Sequence, residues 1–116
     1  MRRNPFLGKW KLVEVDEWAE ADLDEYEPAM FEIRTGGEGS FNFLVVHAEI
    51  DWEEDEPEDY SLISFCWAGD DDGHEEFGRG WAVADDNEMT GEIVIFKGDR
   101  YRFRAVKKAA AKRAKR

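Results

Sequence analysis

Apolar side chains recur at every second position near the end of the chain. Tyr101, Phe103 and Ala105 alternate with Arg102 and Arg104. Period-two alternation marks a strand with one face in a core and the other in water. Just upstream, Ile93 and Ile95 alternate with Val94 and Phe96, which predicts a strand apolar on both faces. Lys97-Gly98-Asp99-Arg100 between the two reads as a tight turn, so the pair reads as a hairpin. The same reading predicts strands at Trp10 to Val15, Met30 to Arg34, Ser40 to Trp52, Tyr60 to Trp67, Phe77 to Ala84 and Met89 to Phe96. With the terminal strand this makes seven.

Turn signals separate these runs at Gly36-Gly37, the acidic Glu53 to Asp59 stretch with Pro57, Asp70 to Gly73, and Asp85-Asp86-Asn87. Many short strands with regular turns favour a barrel or sandwich over alternating strands and helices. The expectation is an all-β chain: a small antiparallel β-barrel of about seven or eight strands spanning 1–106. The Ser40 to Trp52 run is long. Phe41, Phe43 and Val45 take one face, and Leu44, Val46, Ala48, Ile50 and Trp52 the other. A strand that bends between partners would explain it. Trp18 to Tyr26 reads as a short helix or an acidic loop, with Trp18 and Leu23 as apolar anchors. Lys107 to Arg116 reads as a basic tail, helical or disordered, with no apolar face to dock.

Charge narrows the partners. Between Glu14 and Glu92 there are 27 acids against Arg34 and Arg79, giving −25; elsewhere 14 Lys or Arg stand against Asp99, giving +13. A polyanionic body repels nucleic acid and anionic membranes, so a nucleic-acid partner is not expected. The basic ends find their nearest counter-charge on their own domain. No apolar run is long enough to span a membrane, and the basic N-terminus lacks the apolar stretch of a secretory signal. The single cysteine, Cys66, cannot form an intrachain disulfide and suits a reducing cytoplasm. Its place between Phe65 and Trp67 predicts a small core residue.

The opening strand is entered through Phe6-Leu7-Gly8-Lys9-Trp10. This Gly-x-Trp resembles the lipocalins and the wider calycin group, which includes the avidin-type barrels. The closing Gly98 to Ala105 run suits the last strand of such a barrel. The resemblance implies a Trp that closes the barrel floor and a ligand that enters at the opposite mouth. A second resemblance spans Trp18 to Ala105. It rests on Trp18 with Leu23-Asp24, Pro28-Ala29, Gly39-Ser40-Phe41-Asn42-Phe43, Ile50-Asp51 and Phe65-Cys66-Trp67-Ala68-Gly69-Asp70. It also rests on Gly78-Arg79-Gly80-Trp81-Ala82, Gly91-Glu92-Ile93 and Gly98-Asp99. These resemble a family of small uncharacterised bacterial proteins. Relatives of that kind carry a His where this chain has Lys97, and a Gly where it has Leu44. The likeness implies a common fold and transfers no chemistry.

Site candidates follow from composition. Five Trp and eight Phe are many for a core of this size. Trp10, Phe43, Phe65, Trp67, Trp81 and Phe103 either fill the barrel or line a mouth that stacks a planar or cationic guest. Arg79, flanked by glycines, is expected to pair with Asp24, Asp51 or Asp70, or to grip an anion. The metal candidates are Asp70, Asp72 and His74, but their spacing fails an EF-hand, and a solvated turn accounts for them. No nucleophile elbow or phosphate-binding loop is present, and no cofactor is called for. Two readings stand. One is a binding protein for a small apolar or cationic molecule. The other is an interaction module that docks a basic protein through its acidic face. A homodimer through open sheet edges is compatible with either.

Overall fold

The computed structural model describes residues 6–55 and 61–108. Its strands are β1 (Gly8–Val15), β2 (Trp18–Ala19), β3 (Met30–Arg34), β4 (Glu38–Phe43) and β5 (Val46–Asp55), then β6 (Ser61–Asp71), β7 (His74–Asp85), β8 (Glu88–Ile95) and β9 (Arg100–Lys107). A single helical turn, α1 (Glu20–Leu23), follows β2. From β3 onward each strand pairs antiparallel with the next, and β1 pairs with both β3 and β9. The result is a closed eight-stranded antiparallel barrel, with β2 added outside the ring. Closure removes the open edges that an edge-to-edge dimer would need, apart from the two residues of β2.

Inward and outward positions follow the pleat. The interior takes Phe31 and Ile33 from β3, Phe41 and Phe43 from β4, Ile63, Phe65 and Trp67 from β6, and Phe103 and Ala105 from β9. In β1 the register against β9 shifts between Leu12 and Glu14. That bulge lets Leu12 and Val15, three apart, both point inward.

The predicted Ser40 to Trp52 strand is two strands. Leu44 and Val45 form a two-residue turn, and Leu44 sits at φ 53 in the left-handed region. The turn resets the parity, so Phe41 and Phe43 before it and Ala48 and Ile50 after it all face one core. What read as two apolar faces of one strand is the same face of a hairpin. No Gly, Asn or Asp marks this turn, and the left-handed conformation costs a leucine about 1 kcal/mol. At the β6–β7 hairpin the Asp70 to Gly73 signal shrinks to Asp72-Gly73, both at positive φ. This is the Asp-Gly chemistry of a two-residue turn.

One edge of β1 is shared. Its lower half, Gly8 to Lys11, pairs with β3, and its upper end, Glu14 and Val15, pairs with β2. The segment read as helix or loop therefore gives a scrap of strand and one helical turn. Its Leu23 is fully buried. Asp24 ties this segment down, accepting from Lys11 Nζ at 2.6 Å and from the Ala29 N–H at 2.9 Å. Burial raises the Asp24 carboxyl pKa, but the Lys11 hydrogen bond, the Ala29 N–H and the Lys11 charge together outweigh it. The net pKa is lowered from 3.8. Asp24→Ala is expected to lose about 1–3 kcal/mol of stability near neutral pH, read by urea unfolding. Because the folded pKa lies below the unfolded one, this contribution is complete above the unfolded value. It fades as pH falls through the folded one, so the gap between wild type and variant closes below about pH 4.

The barrel's middle is packed with rings. Phe31 stacks on Phe41 at 5.4 Å and on Phe103 at 5.3 Å, and meets the edge of Phe65 at 5.6 Å. Below them Trp10 closes one end. Its Nε1 donates to the Phe6 carbonyl at 2.8 Å, and Lys107 Nζ lies 4.5 Å from its ring centroid. Burial pushes the Lys107 pKa down. The barrel domain thus runs through Lys107, one residue past the expected boundary, and Lys108 N–H donates to the Lys9 carbonyl. The reading of the tail as helical or disordered falls, from 109 onward, outside the described residues, as do Met1 to Pro5 and Tyr60, where the predicted Tyr60 to Trp67 strand was expected to begin.

Candidate functional site

The end opposite Trp10 is not filled. A hollow of about 230 Å³ opens there. Phe41, Phe43 and Trp67 form its base, Trp18 and Tyr101 one wall, and Leu44, Val46 and Ile95 much of the rest. The Trp18 ring is 5.7 Å from Tyr101 and 6.5 Å from Phe43. Trp67 is anchored by its Nε1, which donates to the Val94 carbonyl at 3.2 Å. Two carboxylates, Asp71 and Glu76, complete the lining. Both stand at half-buried positions on β6 and β7. Neither has a cationic group within ion-pair distance among the described residues.

The mouth is acidic beyond its lining. Tyr101 donates to Asp99 at 3.4 Å. Its pKa is raised, first by burial, then by Asp99, and further by the charges of Glu17 and Asp71. The hydroxyl thus feels carboxylates from three separate strand connections or ends.

The residues singled out from sequence separate into three places. Phe43 and Trp67 line the hollow. Phe65 and Phe103 lie in the packed middle, and Trp10 is the floor. Arg79 and Trp81 lie on the outer wall, because Gly78 and Gly80 take the inward positions of β7. Arg79 has no carboxylate within ion-pair distance among the described residues, contrary to expectation. Asp24 is committed to Lys11. Asp51 is in the same cross-strand row as Arg79 but with Cys66 of β6 between them. The two line one shallow hollow of the outer wall without pairing. Cys66 itself is exposed on that wall rather than in the core, since its neighbours Phe65 and Trp67 take the inward positions. Trp81 Nε1 donates to Glu92 at 3.1 Å.

Asp70, Asp72 and His74 are exposed residues in and beside the β6–β7 turn. Among the described residues no group of three His, Cys, Asp or Glu side chains is placed to hold a metal ion. The basic outer face of β9 meets acids from its neighbours. Arg104 reaches Glu14 at 3.2 Å and Glu88 at 3.0 Å, and Arg100 reaches Glu92 at 3.0 Å. These exposed pairs contribute little stability individually, but they neutralise that face locally.

Sequence reasoning did not assign Trp18, Tyr101, Asp71 or Glu76 to the site. Tyr101 was legible as an inward position of its strand. The other three meet it only through barrel closure and the placement of β2. No protein-family model matches the chain, and neither does any curated protein or solved structure. Among the described residues no helix is long and apolar enough to cross a membrane.

Proposed function

We propose that this protein binds one small apolar or cationic molecule in the hollow at the open end of its barrel. The observation that carries the reading is the contrast between the two ends. One is sealed by Trp10 and Lys107, the middle is packed with phenylalanine, and the other leaves about 230 Å³ lined by aromatic and aliphatic side chains. At roughly 30 Å³ per water, that space equals about eight waters. It is smaller than the ~300–1,000 Å³ of drug-sized sites, so the guest is small. The arrangement accords with a calycin-like barrel, in which the Gly8-Lys9-Trp10 floor faces away from the entrance. The reading is of a binding protein. Among the described residues the lining has no Ser, Cys or His. A reducing cytoplasm suits its one exposed thiol.

Titration of intrinsic Trp fluorescence with a panel of small metabolites, polyamines included, tests the reading. At least one guest is expected to give a saturable change. Val46→Phe, which places a ring in the hollow, is expected to weaken that guest roughly tenfold or more. A panel with no saturable response, or a response indifferent to Val46→Phe, would count against the mouth as the site.

One observation favours the second reading, docking of a basic protein. Phe77 and Phe96 stack at 5.0 Å on the outer wall and are 53% and 56% exposed. Such rings on a body of net negative charge offer a small apolar contact, with Lys97 Nζ 5.5 Å over the Phe96 ring. Binding to a basic partner through this surface would weaken steeply with salt; affinity insensitive to salt would sink it.

A further inference from the structure

We infer that the guest of the mouth is an organic cation, its ammonium group held between the carboxylates of Asp71 and Glu76 and the ring faces of Trp18 and Tyr101. This deepens the mouth-binding reading and rests on it.

The charge pattern of the lining points this way. Apart from Asp71 and Glu76, the lining carries no charged side chain among the described residues. Strand parity aims both carboxylates at the barrel side. Asp71 continues the inward series of Phe65, Trp67 and Gly69 on β6, and Glu76 precedes inward Gly78 and Gly80 on β7. Other half-buried acids of this protein have cations of their own. Asp24 has Lys11, and Glu92 has Arg100. Asp71 and Glu76 have none within reach among the described residues. Lys97, the cation of the nearby β8–β9 turn, lies instead over the Phe96 ring at 5.5 Å.

A neutral apolar guest would strip water from both carboxylates and return nothing, and carboxylates desolvated without a partner are costly. An anion would add repulsion from Glu17 and Asp99, whose charges also reach Tyr101. A cation reverses both terms. It pairs with the carboxylates, and its hydrogens or methyl groups face electron-rich rings. The volume limits it to a compact ammonium carrying a short or single-ring apolar body. The −25 body concentrates cations around the entrance at low salt.

A matched pair of probes tests the inference on the full chain. Benzyltrimethylammonium and neopentylbenzene have the same shape and differ in charge. Calorimetric or NMR titration is expected to show the cation bound roughly tenfold more tightly than its neutral isostere. That preference is expected to shrink with added salt and to fall to roughly unity in the double variant Asp71→Asn, Glu76→Gln. Should the double variant not fold, Asp71→Asn alone and the salt series on the wild type carry the test. Equal or better binding of the neutral probe overturns the cation inference and leaves mouth binding standing. Binding of neither probe overturns both. A cation preference unchanged in the variants overturns the assignment to Asp71 and Glu76.

Discussion

Phe31→Ala is expected to lose about 3–5 kcal/mol of stability, a large share of the roughly 5–15 kcal/mol that holds a domain together. Phe31 is fully buried and is the common neighbour of Phe41, Phe65 and Phe103, all with ring centroids within 5.6 Å. Each of those rings comes from a different strand, β4, β6 and β9. Truncation therefore opens a void at the point where distant parts of the barrel meet, and the backbone ring that surrounds it resists collapse. Urea unfolding followed by Trp fluorescence reads the loss as a lowered midpoint. A change within about 0.5 kcal/mol would mean that the middle of the barrel is not packed as described.

The second large effect concerns a residue with no side chain. A Cβ placed on Gly80 would lie 2.4 Å from the Glu92 carbonyl oxygen and 2.4 Å from Phe65 Cζ. Gly80 is directly opposite Phe65 in the β6–β7 register. The Phe65 ring occupies the space that the glycine leaves on the inner wall. Gly80→Ala must push that ring into the packed middle or part β7 from β8, and is expected to cost about 3 kcal/mol. The neighbouring Arg79→Ala, on the outer face with no ion pair among the described residues, is expected to stay within about 0.5 kcal/mol of wild type. The contrast between adjacent positions is the diagnostic. Equal effects at the two would mean that the faces of β7 are assigned the wrong way round.

The Gly78-Arg79-Gly80 run shows how far the sequence could be read. Glycines in a strand signalled close approach of another group, and that is what the barrel interior holds. The same alternation carried Arg79 to the outside. Its expected partner was named from charge alone, and charge does not say which strands are neighbours. Alternation located β1, β3, β7 and β9 because polar residues mark their outer faces, while β8 was read from its apolar run before the Lys97-Gly98 turn. It failed at β4 and β5 because the Leu44-Val45 turn carries none of the usual turn residues and its flanks are apolar. Trp10 was expected at a barrel floor only through the calycin resemblance; the structure itself shows it fully buried beside Lys107. The mouth was not legible as a set. Phe43 and Trp67 were named, but Trp18, Asp71, Glu76 and Tyr101 arrive from β2, β6, β7 and β9. Closure of β1 on β9 fixes their meeting, and that pairing joins residues about ninety positions apart. The acidic 70–76 run misled in the other direction. Its obvious carboxylates, Asp70 and Asp72, belong to a solvated hairpin, while Asp71 and Glu76 within it face the hollow.

The five tryptophans report whether the barrel is closed at one end and open to a guest at the other. Trp18 and Trp67 line the mouth, Trp10 is the floor, Trp81 is on the outer wall, and Trp52 donates to Glu38 O at 2.8 Å away from the mouth. Titrating ¹⁵N-labelled protein with benzyltrimethylammonium and following the five indole N–H signals separates these places. Saturable shifts are expected for Trp18 and Trp67, with Trp10, Trp52 and Trp81 unmoved. Shifts centred on Trp10 or Trp81, or none at any indole, would contradict binding at the mouth.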